Sequence, residues 1–469
     1  MTAAGPRLVV TLSRLPKGAA RQEVAAGVAA WLAASHLPGQ PAPPGGAWQL
    51  VLPLAGADPL MLVADLRDRL DGLPVGLAFQ ILDQAAAPAL PRPSRRPSIM
   101  ADSPPVAPRL ALLVRRLRRL HLDALLVSQP ENRFYLSGFA GHDTSPAETS
   151  GLLLVPVGRQ AILVTDFRYR LDAERQATGC VVRLGKGGMP RLLAGILPRL
   201  GLARLAFESQ AVLHSQWQAL GRLAARSDTE LVPRKDLVEA LRIRKDAGEL
   251  AAIERAVRLN EAVFQEVFQA LTPGMTERQV AEMIETGFRR HGADGPSFPP
   301  IVAGGANGAS PHAQPGDRPL AAGEPIVIDM GCRLDGYCSD MTRTVVLGEM
   351  DELTRQRIRL VRRAQLAALA VIRPGVRACD VDRAARAVIE AEGLGPLFGH
   401  GLGHGVGLAV HEAPAVNRRS LVRLAAGMVV TVEPGIYFPG WGGIRLENMV
   451  QVTGNGVRLL NKDTTFLDV

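Results

Sequence analysis

His400-Gly401-Leu402-Gly403-His404-Gly405-Val406-Gly407, followed by His411-Glu412, Thr431-Val432-Glu433-Pro434-Gly435 and Gly443-Ile444-Arg445-Leu446-Glu447, is the stretch around which the chain is organised. Glycines beside two histidines let the backbone approach a ligand closely. Each glutamate follows apolar residues at strand spacing, which aims a carboxylate from a rigid sheet. The same logic appears about a hundred residues earlier, where Ile326-Val327-Ile328-Asp329 precedes Gly336-Tyr337-Cys338-Ser339-Asp340-Met341-Thr342-Arg343-Thr344. The two stretches read as two halves of one metal site.

An internal repeat supports that reading. Leu271-Thr272-Pro273-Gly274-Met275 recurs as Ile372-Arg373-Pro374-Gly375-Val376, and Leu320-Ala321-Ala322-Gly323 recurs as Leu424-Ala425-Ala426-Gly427. Six residues after each of the latter glycines stands an acid, Asp329 or Glu433. Each copy reads as helix, helix, strand and hairpin, with Thr276 and Gln279 forming a capping box on one helix. Symmetry about Leu334-Asp335 sets Asp329 against Asp340, and symmetry about Gly440 sets Glu433 against Glu447. Directly opposed side chains have Cβ atoms about 4.5–5.5 Å apart, so like charges there need a compensating cation. Arg343 and Arg445 offer one from within the chain. The glycine-lined histidines favour divalent metal instead, since four carboxylates and an imidazole suit first-row ions, and bridging carboxylates suit a pair about 3.5–4 Å apart.

Composition narrows the partners. A length of 469 residues implies two or three domains. The net charge of +9 and the pI of 9.9 come from scattered arginines, without a basic run interleaved with aromatics, so no nucleic-acid partner is expected. Cys180, Cys332, Cys338 and Cys379 form no Cys-x-x-Cys pair and read as free thiols in a reducing compartment. No apolar run approaches the roughly 20 residues of a membrane helix, and Leu8-Val9-Val10 is too short for a signal-peptide core. A cytoplasmic protein without a membrane partner is expected.

Four segments follow. Residues 1–85 read as an accessory α/β unit, with strands at 8–12 and 48–54, a helix at 20–34 and further elements at 60–70 and 77–82. Residues 86–108 carry seven prolines and read as a linker. Residues 109–235 alternate strands (124–128, 152–155, 161–165, 181–184, 205–208) with helices (110–120, 190–200, 213–225), a small α/β domain in which His142 and Asp143 read as solvated loop residues. Residues 236–469 hold the motifs and begin with a charged helix at 237–269, broken near Asp246.

These motifs, with Pro311-His312-Ala313, resemble the pita-bread dinuclear metallopeptidases: prolidase, aminopeptidase P and methionine aminopeptidase, with creatinase as a metal-free relative. The resemblance runs from about residue 105 to the end and includes the phrases at 132–139 and 165–169. It implies an α+β architecture: a pita-bread catalytic domain with an internal pseudo-two-fold repeat, behind a creatinase-like α/β domain and the extra leading unit. It further implies that Asp340 and Glu447 bridge two divalent ions, that Asp329 serves one of them, and that His404 and Glu433 serve the other. Manganese is expected first, with cobalt, zinc or iron as alternatives. By the same resemblance His312, His400 and His411 orient substrate and stabilise the tetrahedral intermediate, Glu433 shuttles a proton, and Arg445 stands behind the ligands.

The implied reaction is hydrolysis of the N-terminal Xaa-Pro bond of peptides by a metal-activated water, in a homodimer. That bond is a tertiary amide without an N–H, which proteases gripping extended backbone hold poorly. Phe298, Tyr437 and Trp441 are candidate walls for the proline ring. A strict Xaa-Pro dipeptidase is the alternative. Methionine aminopeptidases lack the preceding α/β domain, and a non-catalytic peptide binder should have lost ligands, so both are less expected. Asn448 departs from the acid that many relatives carry there, which alters a hydrogen bond behind the site rather than a ligand.

Overall fold

Two turns set the frame of the carboxy-terminal half. In the computed structural model, helices Ala247–Ala270 and Glu277–Arg290 are joined through Gly274, and helices Glu352–Val371 and Ala378–Ala391 through Gly375. Both glycines adopt positive φ, 92° and 88°, where a side chain is strained. Gly274 N–H donates to Leu320 O and Gly375 N–H to Leu424 O, and Leu320 and Leu424 N–H return bonds to Met275 and Val376 O, all at 2.8 Å. The repeated sequence is therefore a repeated set of hydrogen bonds. Thr276 accepts from Gln279 N–H at 3.1 Å in the expected capping box. Asp246 caps the long helix, which breaks at that residue as the sequence indicates.

The structure describes residues 106–469, except 142, 144 and 146, and in the leading stretch residue 28 and three strands. Those strands, Arg7–Ser13, Trp48–Pro53 and Gly76–Leu82, form an antiparallel sheet with the first in the centre. The helix expected at 20–34, apart from residue 28, and the element at 60–70 lie outside the described residues.

In the carboxy-terminal half, Ile301–Gly304, Pro325–Met330 and Met341–Val346 form one antiparallel sheet. Glu412–Val416, Gly403–Gly405, Val429–Val432, Asn448–Val452 and Val457–Leu459 form a second, in that order. The hairpin Gly435–Phe438 with Gly442–Arg445 continues the register of Val429–Val432 with Asn448–Val452 and lies against Pro325–Met330 and Met341–Val346 of the first sheet. The halves meet where Glu447 N–H donates to Thr342 O at 3.1 Å and Arg445 N–H donates to Thr344 Oγ1 at 3.0 Å.

Val432 pairs with Asn448 and Gly435 with Arg445, a register that sets Glu433 against Glu447 as expected. The first hairpin differs. Its loop is Asp335-Gly336, both at positive φ, so the pairing runs through Leu334↔Tyr337 and Asp329 faces Thr342, not Asp340. The shift is an even number of residues, so both aspartates stay on one face.

Ahead of this half lies a six-stranded mixed sheet in the order 180–184, 161–165, 151–156, 124–127, 204–208, 230–234. The edge strand Glu230–Arg234 escapes sequence reading because it is charged and contains Pro233, which an edge tolerates. Val106–Arg119 is helical from within the stretch read as linker, since Pro108 is tolerated in a first turn. The helix expected at 190–200 is two, Met189–Ala194 and Leu197–Leu200. One hydrophobic core joins Leu125, Tyr135, Leu136 and Phe139 of this domain to Tyr337, Val406, Leu408 and Met449 of the carboxy-terminal half. Among the described residues no helix is long and apolar enough to cross a membrane.

Candidate metal centre and substrate cleft

Strand ends converge on one cleft. Asp329 ends one strand, Asp340 precedes the next, Glu433 and Glu447 flank the paired hairpin, and His404 sits mid-strand in Gly403–Gly405. One donor atom from each of Asp340, His404 and Glu447 lies within 4.8 Å of the others. His404 Nε2 is 3.3 Å from Glu433 Oε1 and 3.7 Å from Asp340 Oδ2. Thr431 Oγ1 donates to Glu433 at 3.1 Å, and Thr342 Oγ1 to Glu447 at 2.8 Å. Asp329 Oδ1 and Glu447 Oε1 are buried without a hydrogen-bond partner among the described residues. Buried carboxylate oxygens rarely go unpartnered, so the donor set itself asks for cations.

Arg445 does not meet that demand alone. Its guanidinium donates to Asp329 Oδ2 at 2.6 Å, Thr342 Oγ1 at 3.1 Å, Pro311 O at 3.1 Å and Tyr437 OH at 2.9 Å. Arg343 faces away and pairs with Asp463 at 2.8 Å, so the two-arginine alternative fails. Arg343 also donates to Glu447 O at 2.7 Å and to Asn448 Oδ1 at 3.0 Å, which fixes the strand behind Glu447.

Electrostatics carries the same signature. Burial, then the nearby Glu447, Asp329 and Glu433, pushes Asp340 well above the usual carboxylate range, and burial with Glu433 and Asp329 does the same to Glu447. Burial and Glu433 raise Asp329 despite Arg445. Burial opposes ionisation of Glu433, but the hydrogen bond and charge of His404 hold its carboxyl low. His404 is raised in turn, its carboxylate neighbours outweighing burial.

The histidines divide. His312 and His411 are exposed to a cleft of about 590 Å³, whose apolar wall is Phe298, Pro299, Pro300 and Ile301. The His411 ring packs edge-on against His404, with centroids 4.2 Å apart. Burial, then His404, lowers its pKa. His400 differs from expectation because both its nitrogens are engaged. Arg445 donates to Tyr437 OH, so the tyrosine hydroxyl donates to His400 Nε2 at 2.9 Å, and His400 Nδ1 donates to Gly401 O at 2.8 Å. His400 therefore positions the Tyr437–Arg445–Asp329 chain instead of presenting a donor to substrate.

Of the three aromatics expected around proline, Phe298 lines the cleft. Tyr437 stands behind it in that chain, and Trp441 packs on Phe438 and on the Arg357 guanidinium, 3.9 Å from its ring centroid. The signal that points to Tyr437 as a network residue is its pair of glycine neighbours. A Cβ on Gly435 would lie 2.5 Å from its hydroxyl and one on Gly443 2.8 Å from its ring, so the two glycines make room for it. Asp143, read as solvated, holds the buried Arg133 at 3.2 Å, while His142 lies outside the described residues.

Comparisons with known proteins agree with this geometry. Residues 251–454 match the model of Metallopeptidase family M24, and residues 109–244 that of the Creatinase/Prolidase N-terminal domain. The chain is 36% identical over 342 residues to the uncharacterized peptidase YqhT of Bacillus subtilis strain 168, spanning 73% of this chain and 94% of that protein. It resembles the solved Xaa-Pro dipeptidase from Bacillus anthracis at a TM-score of 0.72 and 33% identity, over 77% of this chain and 99% of that one. Against the X-Pro aminopeptidase from Thermotoga maritima MSB8 the TM-score is 0.68 at 34% identity, over 74% and 98% of the two chains.

Proposed function

The chain belongs to metallopeptidase family M24 and has its pita-bread fold, and from that premise we propose that it is a dinuclear metal-dependent exopeptidase releasing the residue that precedes proline at a peptide N-terminus. The observation that carries this reading is the cluster of Asp340, His404 and Glu447, with orphaned oxygens on Asp329 and Glu447, facing an apolar wall across one cleft. In it Asp340 and Glu447 would be shared by two ions, Asp329 would serve one, and His404 and Glu433 the other. When bound, the ions acidify water and polarise the scissile carbonyl. The rest falls to the protein. Phe298 and its proline neighbours receive the substrate ring and exclude water from it. His312 and His411 donate to the carbonyl oxygen as charge develops there. Glu433 takes a proton from the attacking water at a carboxylate oxygen and returns it to the departing proline nitrogen.

Arg445 is the one arginine in the cleft lining among the described residues, and four of its five N–H donors are engaged. That leaves no guanidinium free to grip a dipeptide carboxylate with two donors, which supports peptides continuing beyond proline, with dipeptides accepted too. Similarity to the Xaa-Pro dipeptidase from Bacillus anthracis favours the strict dipeptidase as the second reading.

Manganese is the proposed ion because oxygen donors dominate the set. Free thiols at Cys180, Cys332, Cys338 and Cys379 support a cytoplasmic setting. Phe167 and Leu171, 81% and 78% exposed on the preceding domain, support a homodimer. The test is to strip metal and return manganese, cobalt, zinc or iron singly while following Xaa-Pro cleavage. Activity should vanish and return with at least one ion, and turnover indifferent to stripping would contradict the reading.

A further inference from the structure

His411 owes its place to the residue after it. Glu412 opens the strand Glu412–Val416 and pairs with Gly405, next to His404, so the backbone on the carboxyl side of His411 is tied to the strand that carries a proposed ligand. The Glu412 side chain turns away from the cleft. Its two oxygens meet Arg242 Nη2 at 2.5 Å and Lys245 Nζ at 2.7 Å, with side chains 8%, 3% and 0% exposed. Gly407 permits this, since a Cβ there would lie 2.4 Å from Glu412 Oε1. Burial alone would raise the Glu412 carboxyl, but Lys245 and Arg242 hold it below its usual range.

The clamp continues into the preceding domain. Arg242 Nη1 donates to Asn132 Oδ1 at 2.8 Å, and Asn132 Nδ2 faces Glu208 Oε1 at 2.7 Å and Glu239 Oε1 at 2.6 Å. Lys245 N–H donates to Gly427 O at 2.7 Å, which pins the other arm to the repeat turn. A carboxylate held by two buried cations admits one geometry, because leaving any member unpaired is costly.

We propose that Glu412 is a positioning residue for His411, and that the Glu412–Arg242–Asn132 chain makes the preceding domain part of the catalytic apparatus. The proposal rests on the peptidase reading above. It acts through reach: a misplacement of about 1 Å in a catalytic group can cost about a hundredfold.

The experiment uses the full chain loaded with metal. Glu412→Gln should keep full metal content and leave KM within about twofold, yet lower kcat at least about tenfold; in a His411→Ala background it should change kcat by less than about twofold. Asn132→Ala, which spares the Lys245 arm, should lower kcat about threefold and likewise lose its effect without His411. If Glu412→Gln does not fold, Asn132→Ala decides. Equal losses with and without His411, or no loss with it, overturn the proposal. In the chain loaded with diamagnetic zinc, the imidazole resonance of His411, identified by its disappearance in His411→Ala, should also shift in both variants. An unmoved resonance overturns the proposal whatever the turnover. An unsubstituted, metal-loaded chain that cleaves no Xaa-Pro peptide sinks the peptidase reading instead, and the resonance still decides whether the clamp positions His411.

Discussion

Arg445→Met removes the protein's own cation from the carboxylate cluster, and its effect should depend on metal. In the metal-free protein Asp329, 12% exposed at its side chain, loses its 2.6 Å partner, and Arg343 cannot replace it because Asp463 holds it. Breaking a buried ion pair from one side costs about 3–5 kcal/mol. For a domain of this size that lowers the melting temperature by about 6–20 °C, at about 2–4 °C per kcal/mol. With metal bound, the ions supply the countercharge, and what remains is the loss of the Thr342, Pro311 and Tyr437 hydrogen bonds. That loss is about 1–3 kcal/mol, since methionine fills most of the volume. Thermal melts followed by near-ultraviolet circular dichroism, with and without metal, measure the difference. A loss of equal size in both states would refute the argument that Arg445 and metal neutralise the same carboxylates.

Asp340→Asn should weaken both metal positions, whereas Asp329→Asn should spare one; two full equivalents of metal in purified Asp340→Asn would contradict the shared-ligand assignment. His411→Ala should keep its metal and lose about 10²- to 10³-fold in kcat, the usual worth of one donor at a developing oxyanion. Near-normal turnover would remove it from the site. The Glu208 carboxyl is pushed up to about 7, mainly by burial. Its folded value lies above its unfolded one, so its contribution to stability is complete below about pH 4.5 and is lost as pH rises through about 7. Glu208→Gln should therefore flatten the fall in urea midpoint between those values, and parallel slopes for variant and parent would rule Glu208 out as the source.

The second hairpin was readable because Pro439-Gly440-Trp441-Gly442 has a single centre, Gly440, at φ 80°. The first was misread by one position because Asp335 and Gly336 both take left-handed conformations, making a two-residue loop whose centre lies later. The error left the chemistry intact, since side chains alternate with period two. Tyr437 could be placed by the same arithmetic: it shares a face with Arg445 and opposes Gly443. What no local pattern discloses is pairing across 110 to 170 residues, as between Arg242 and Asn132 or Glu412. Arg242 reads as one more charge on the charged helix at 237–269 until the fold buries it. Asp143 escaped for the same reason, its significance resting on the burial of Arg133.

The central claim is that this site cuts before proline. Metal-loaded protein should be given matched Xaa-Pro, Xaa-Pro-Yaa and Xaa-Ala peptides, and kcat/KM compared. The account predicts cleavage of both proline series, with the tripeptides at least as good as the dipeptides and Xaa-Ala poor. Activity confined to dipeptides would convert the reading to a strict Xaa-Pro dipeptidase, and efficient Xaa-Ala cleavage without preference for proline would contradict it.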